Sequence, residues 1–201
     1  MIQTFAAKDG WSALRARWAD RLPEADLAAL DEATSFAGHR HGGQTRPAGE
    51  PYIEHLLEVT RVLVEGLGIT DVDILRAALL HDVVEDTPCT LDEVRNRFSD
   101  RVAPLVDWVT KPPRREGQCR EDARAAYLDR LHDAPEDAVL VKLADRLSNV
   151  QRLDTHPRPE KQRDYYDETI RTILPLAERH PWFHDWYSTW RTEFRWVGEG
   201  A

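Results

Sequence analysis

"LLHDVVEDT", residues 79–87, sets His81, Asp82, Glu85 and Asp86 into an otherwise apolar stretch. An ionised carboxylate buried without a partner is costly. Such a run needs solvent on one side or something positive to hold. Ile74, Leu75, Ala78, Leu79, Val83 and Val84 recur at helical spacing, which predicts a core helix over "DVDILRAALLHDVVED" (71–86). On that helix His81 and Asp82 stand about 100° apart around the axis, and both are expected to reach inward at one place. Glu85 lies one turn beyond His81 and Asp86 one turn beyond Asp82.

Working outward, the pattern is helical nearly everywhere. "SALRARWADRL" and "EADLAALDEATSFAGHR" precede a Gly- and Pro-rich loop, "HGGQTRPAGEP" (41–51). Pro51 then suits the first turn of a helix through "YIEHLLEVTRVLVEGLG", with Gly66 and Gly68 at its end. Thr90 and Glu93 in "TLDE" read as a capping box. Helices follow over "DEVRNRFS" and "RVAPLVDWVTK", and "PPRREGQ" (112–118) reads as a mobile loop. "EDARAAYLDRLHDA", "EDAVLVKLADRLSNVQRL" and "PEKQRDYYDETIRTILPLAERH" are further helices, and the aromatic tail "PWFHDWYSTWRTEFRW" is expected to be helical too. No run alternates with period two. The expectation is an all-α single domain over residues 1–201.

Composition narrows the partners. The net charge of −9 argues against a surface that grips nucleic acid non-specifically. Cys89 and Cys119 lack CxxC spacing and suit a reducing compartment. No apolar run has the length of a signal peptide core or a membrane span. The expectation is a cytoplasmic protein with neither nucleic acid nor membrane as partner.

The chain holds three His-Asp pairs: His81-Asp82, His132-Asp133 and His184-Asp185. The last two sit in polar or aromatic surroundings and read as surface groups. The first sits on a core helix, where a histidine hydrogen-bonded to a neighbouring acid is as good a reading as a metal ligand. His55 beside Leu56 and Val59, and Asp145 among Leu143, Ala144 and Leu147, are polar groups on apolar stripes again. A divalent cation bound by His55, His81, Asp82 and Asp145 answers all of these anomalies together, although polar core groups can also pair among themselves.

"HGGQTRPAGEPYIEH", "ALLHDVVEDT", "LVDWVTK", "VKLADRLSN" and "KQRDYYDETIRTILPLAER" occur in that order. Together they resemble the hydrolase domain of the RelA/SpoT family, a branch of the HD-domain metal-dependent phosphohydrolases, over roughly residues 30 to 180. The resemblance implies a helical bundle of that type, standing alone without the family's synthetase domain. It implies Mn²⁺ held by His55, His81, Asp82 and Asp145, and Glu85 and Asp86 acting on the water and the leaving group. By position Arg46 falls beside the nucleotide and Asn149 faces its ribose-phosphate region. The implied reaction removes the 3′-pyrophosphate of ppGpp or pppGpp. Pro47 departs from the pattern by standing where the family has Lys, which removes a cation. Ser148 stands where the family has His, a change expected to alter packing.

Two imidazoles and two carboxylates suit an octahedral ion with open positions better than a closed tetrahedral zinc site. An anionic substrate on an acidic chain needs local cations, and Arg46, Lys142, Arg146 and Lys161 are the candidates. Two other readings compete. One is a phosphatase of a related 2′- or 3′-phosphorylated nucleotide such as NADPH. The other is a nucleotide-binding regulator or scaffold with a slow site, using Trp182, Trp186, Trp190 and Trp196 as a docking face.

Overall fold

The computed structural model describes residues 2–199. Among them the only extended pairing is a bridge between Thr45 and Pro51, and the rest is helices and connections. The all-α expectation therefore holds. Helices α1 (Gly10–Trp18) and α2 (Glu24–Arg40) lead into the loop 41–51. That loop closes on itself through Arg46 N to Glu50 O (2.8 Å) and Gly49 N to Arg46 O (2.9 Å), with Gly49 at φ 99°. A side chain at that φ would be strained, so glycine sets the turn.

Helix α3 (Tyr52–Arg61) starts behind Pro51 and continues as a π turn, Val62–Gly66. Gly66 is required there: a Cβ would lie 2.8 Å from the Trp182 ring. Helix α4 (Val72–Leu80) is the centre of the bundle and packs against α2, α3, α7 (Val102–Val109) and α9 (Glu136–Val150). It can do so because it is apolar on nearly every face, with Ile74, Leu75, Ala77, Ala78, Leu79 and Leu80 all buried. The Asp71 side chain accepts from Asp73 N and Ile74 N and caps its start.

The helix expected over 71–86 is broken. Helix α4 stops at Leu80, His81 and Asp82 form a turn, and a short α5 (Val83–Asp86) follows. His81 Nδ1 bonds the Ala78 carbonyl at 2.8 Å, which satisfies an otherwise orphaned acceptor in the last turn. Asp82 sits at φ −102°, ψ −4°, outside regular helix. The break lets two adjacent side chains reach one point, which a continuous helix would keep about 100° apart.

Helix α6 (Leu91–Arg97) is capped by Thr90, whose Oγ1 accepts from Glu93 N at 3.1 Å. The Glu93 side chain does not close the capping box but pairs with Arg40. Beyond α8 (Arg120–Arg130) and α9, the helix expected from 159 to 180 divides into α10 (Pro159–Glu168), a π turn Thr169–Ile173, and α11 (Leu174–Ala177). The widened turn precedes Pro175, which has no N–H to give to a regular helix. The tail forms α12 (Pro181–Glu193) and α13 (Arg195–Glu199). Trp190 Nε1 donates to Val150 O (2.9 Å), Tyr187 Oη to Leu143 O (2.7 Å) and Trp186 Nε1 to Gln3 O (2.8 Å). Those residues are buried, so most of the tail's aromatics seal α9 and the first residues, and only Trp196 of its tryptophans is exposed. His132 and Asp133 are exposed, as expected, and His184 and Asp185 lie at the surface of α12.

Candidate metal centre and its cavity

Three elements bring the ligand candidates together. Helix α3 supplies His55, the turn after α4 supplies His81 and Asp82, and α9 supplies Asp145. His55, His81 and Asp82 each present a ligand atom within 4.8 Å of the others. Asp145 Oδ1 joins them, 3.4 Å from His55 Nε2 and 3.7 Å from His81 Nε2. Asp82 Oδ2 is 3.0 Å from His81 Nε2 and 3.6 Å from His55 Nε2.

The hydrogen bonds fix what these atoms offer. His81 Nδ1 faces a carbonyl, so it carries a proton and Nε2 is the nitrogen turned to the cluster. His55 Nδ1 lies 2.9 Å from Ser148 Oγ, and that hydroxyl donates its one hydrogen to Glu58 Oε2 at 2.7 Å. Ser148 must then accept from His55, which turns the Nε2 of the neutral ring to the cluster as well. The two imidazole Nε2 atoms thus meet at 3.3 Å, flanked by two carboxylate oxygens. Two imidazole nitrogens and two carboxylates converging on one point fit a divalent cation. The carboxylates draw positive charge to this point: burial disfavours charge on His81, but Asp82 and Asp145 outweigh it and raise its pKa well above the ordinary value, so a bound cation competes there with a proton. Burial likewise pushes Asp82 and Asp145 up, and their cationic neighbours, His81 for Asp82 and Lys142 for Asp145, bring both well below the carboxylate range.

The cluster opens onto a cavity of about 280 Å³. Asp82, Asp145, Glu85 and Asp86 line it together with Lys111, Arg120, Arg124, Lys142 and Arg146. Tyr52 stands between the acids, its hydroxyl 2.5 Å from Asp82 Oδ2 and 3.1 Å from Asp86 Oδ2. Burial and then Asp82 hold its phenol far above the ordinary range, so it stays a donor. Desolvation at the rim, then the charges of Asp82 and Glu85, push the Asp86 carboxyl up. Glu85 instead accepts from Lys111 Nζ (2.5 Å) and Lys111 N (3.1 Å). The two neighbouring acids therefore stand in different environments, one beside negative charge and one beside positive.

The expected substrate residues divide. Asn149 lines the cavity but gives its Nδ2 to Asp145 Oδ1 at 2.6 Å. Lys142 is buried and bonds Asp145 Oδ2 at 2.7 Å, so its first effect is to neutralise that carboxylate. Arg46 bonds Glu58 Oε2 (2.8 Å) and Ser148 O (3.2 Å), and with Pro47 it lines a second, narrower cleft of about 40 Å³ that meets the cavity at Asn149. Lys161 is not brought to the site: it pairs with Asp164 on α10 and lines neither space. Its positive charge makes it a candidate, but charge carries no information about which face of α10 turns inward. Ser148, expected to alter packing, instead touches His55 directly.

Arg124, Lys111, Tyr165 and Glu168 were missed. Glu168 holds both Arg124 and Arg146 against the cavity, and Arg146 Nη1 is buried with no acceptor among the described residues. "EDARAAYLDRL" reads as a solvated helix face, and nothing in it signals this role.

A model of the HD domain matches residues 33–183. The chain is 45% identical over 134 residues to the guanosine-3′,5′-bis(diphosphate) 3′-pyrophosphohydrolase MESH1 of Mus musculus, covering 64% of this chain and 72% of that protein. It is 38% identical over 161 residues to the bifunctional (p)ppGpp synthase/hydrolase SpoT of Escherichia coli (strain K12), covering 79% of this chain and 22% of that protein. The chain thus spans about a fifth of the length of that bacterial relative. A solved structure described as a metazoan ortholog of SpoT that hydrolyzes ppGpp is similar with a TM-score of 0.75 and 27% identity, over 83% of this chain and 95% of that one.

Proposed function

The chain belongs to the HD-domain family, and on that premise we propose that it is a metal-dependent hydrolase that removes the 3′-pyrophosphate of ppGpp or pppGpp, releasing GDP or GTP. The observation that carries this reading is the pairing of a four-donor cluster with a cavity that Arg120, Arg124 and Arg146 also line. His55, His81, Asp82 and Asp145 would hold the ion, and the mixed imidazole–carboxylate set favours Mn²⁺. Bound there, a divalent ion acidifies water and offsets charge at phosphorus.

The remaining work falls to the chain's own groups. Asp86, whose carboxyl is pushed up, would serve as the acid toward the leaving oxygen. Glu85, set by Lys111, orients the attacking water. Tyr52 donates to the carboxylate of Asp82 or Asp86 and keeps them in place. Arg146 and Arg124, held by Glu168, take the pyrophosphate oxygens, because guanidinium groups bind phosphate through charge-assisted hydrogen bonds. Arg46 and Asn149 stand where the cavity meets the narrower cleft, and the nucleoside would pass beside them. We read residues 1–201 as one hydrolase domain acting in the cytoplasm on a free nucleotide rather than on nucleic acid or membrane. Among the described residues no helix is long and apolar enough to cross a membrane.

The test is a nucleotide panel of ppGpp, pppGpp and NADPH given to protein stripped by chelator and reloaded with Mn²⁺, with pyrophosphate and orthophosphate measured separately. Pyrophosphate from the guanosine substrates, returning only with metal, is the expected result. Orthophosphate from NADPH alone would favour the phosphatase reading, and turnover that survives chelation would end the metal-dependent one.

A further inference from the structure

His55 and Glu58 lie one helical turn apart on α3 and both face α9, where Ser148 sits between them. All three are buried, Glu58 completely. The Glu58 carboxylate accepts from Ser148 Oγ (2.7 Å), Arg46 Nη1 (2.8 Å), Gln151 Nε2 (3.0 Å) and Arg152 Nη2 (3.1 Å). Its acceptor sites are therefore filled, and the serine hydrogen has nowhere else to point. This matters at the other end of the relay. A lone imidazole chooses which nitrogen carries its proton, and only the Nδ1–H form leaves Nε2 free for a ligand bond. In a cluster with two carboxylates 3.4 and 3.6 Å from His55 Nε2, the Nε2–H form would be attractive, since it could donate to Asp145 or Asp82. That form blocks the cation.

We propose that Ser148 and Glu58 are positioning residues for the metal centre, acting as a carboxylate–hydroxyl–imidazole relay that keeps the His55 proton on Nδ1. The inference rests on the metal reading given above and extends it to residues that touch neither ion nor substrate. It also explains why a small hydroxyl residue serves at this position. Helices α3 and α9 approach closely enough there for one oxygen to bond both partners at once. The relay shares its carboxylate with Arg46, so the loop that lines the narrow cleft and the ligand at the metal centre hang from one anchor.

The test is calorimetric titration of MnCl₂ into metal-stripped protein, with circular dichroism and Tm recorded for each variant. Outer partners of metal-bound histidines are worth about 10- to 100-fold in metal affinity. Ser148→Ala is expected to weaken Mn²⁺ by that factor while the fold is kept, because it deletes a single oxygen atom. Ser148→Thr, which retains the hydroxyl, should restore affinity to within about threefold of wild type, well inside the relay's range. Glu58→Gln should also weaken binding, and should add nothing in the Ser148→Ala background, since both cut one relay. A role confined to stability would lower Tm and leave affinity alone. If Ser148→Ala bound Mn²⁺ like wild type, or if the two losses multiplied, the relay would be refuted while the metal site stood. If the wild type itself took up no metal, the metal reading would fall and the relay with it.

Discussion

Glu58 and Glu168 each bury a carboxylate between two arginines, one behind the metal centre and one behind the arginines that line the cavity before it. Glu58 takes Arg46 and Arg152 together with Ser148 and Gln151, and has no exposed surface. Glu168 takes Arg124 and Arg146, and Arg146 keeps one buried N–H group without an acceptor among the described residues. Burying a charge is tolerated only when it is paired and hydrogen-bonded. The first cluster is satisfied from within the protein. The second leaves one buried donor unmatched, and its two arginines line the cavity, where their charge suits an anion.

The comparison predicts effects of different size and kind at the two clusters. The largest belongs to the centre that Glu58 backs. Asp82→Asn should lose bound metal and with it the metal-dependent rate, whereas Glu85→Gln should keep the metal and lose on the order of 10²- to 10⁴-fold in kcat. Metal analysis alongside kinetics separates the two, and full activity in metal-loaded Glu85→Gln would remove that residue from the chemistry.

Next comes the cavity wall. Arg146→Gln removes a charge-assisted bond worth about 1.5–3 kcal/mol. It should raise KM for ppGpp by about 10- to 100-fold with kcat nearly kept, the signature of lost uniform binding. A fall in kcat at unchanged KM would place Arg146 at the reacting phosphorus instead.

The Glu168 cluster also carries a pH signature. Burial pushes this carboxyl up, but Arg124 and Arg146 outweigh it and bring it to about 2. A depressed acid adds stability that is full above the ordinary glutamate range and fades as the pH falls through that range toward the folded value. Urea melts of wild type and Glu168→Gln should therefore differ most at neutral pH and converge under acid. A gap that stayed constant down to pH 3 would mean that the pair is not what the variant removes.

The smallest effect is expected at Pro47, on the exposed rim of the narrow cleft. Pro47→Lys adds a flexible cation at the surface, where a single ion pair is worth about 0–1 kcal/mol. KM for ppGpp should fall by a few-fold, and preference for ppGpp over ppApp should sharpen. Unchanged KM and unchanged base preference would show that this loop does not read the nucleotide.

Much of the fold was legible because helices write their buried face into the sequence with a period near 3.6 residues. The boundaries that failed have local causes: His81 and Asp82 leave the helix to converge on one point, and Pro175 follows a widened turn. The ligand candidates were legible for a related reason. His55, His81 and Asp145 are polar groups on apolar stripes, and such groups need a partner wherever the chain folds.

By itself, then, the sequence determined the helical class, the polar residues that had to be buried, and the likeness to a known hydrolase domain. Tertiary structure alone decided who partners whom. Ser148 reaches across to Glu58 and His55, ninety or more residues away, and Arg124 and Arg146 converge on Glu168. Lys142 turns to Asp145 on its own helix, and Lys161 turns away from the cavity. Periodicity reports that a side chain is buried, but not what lies opposite it. That is set by how the helices cross, and so by the packing of the whole core.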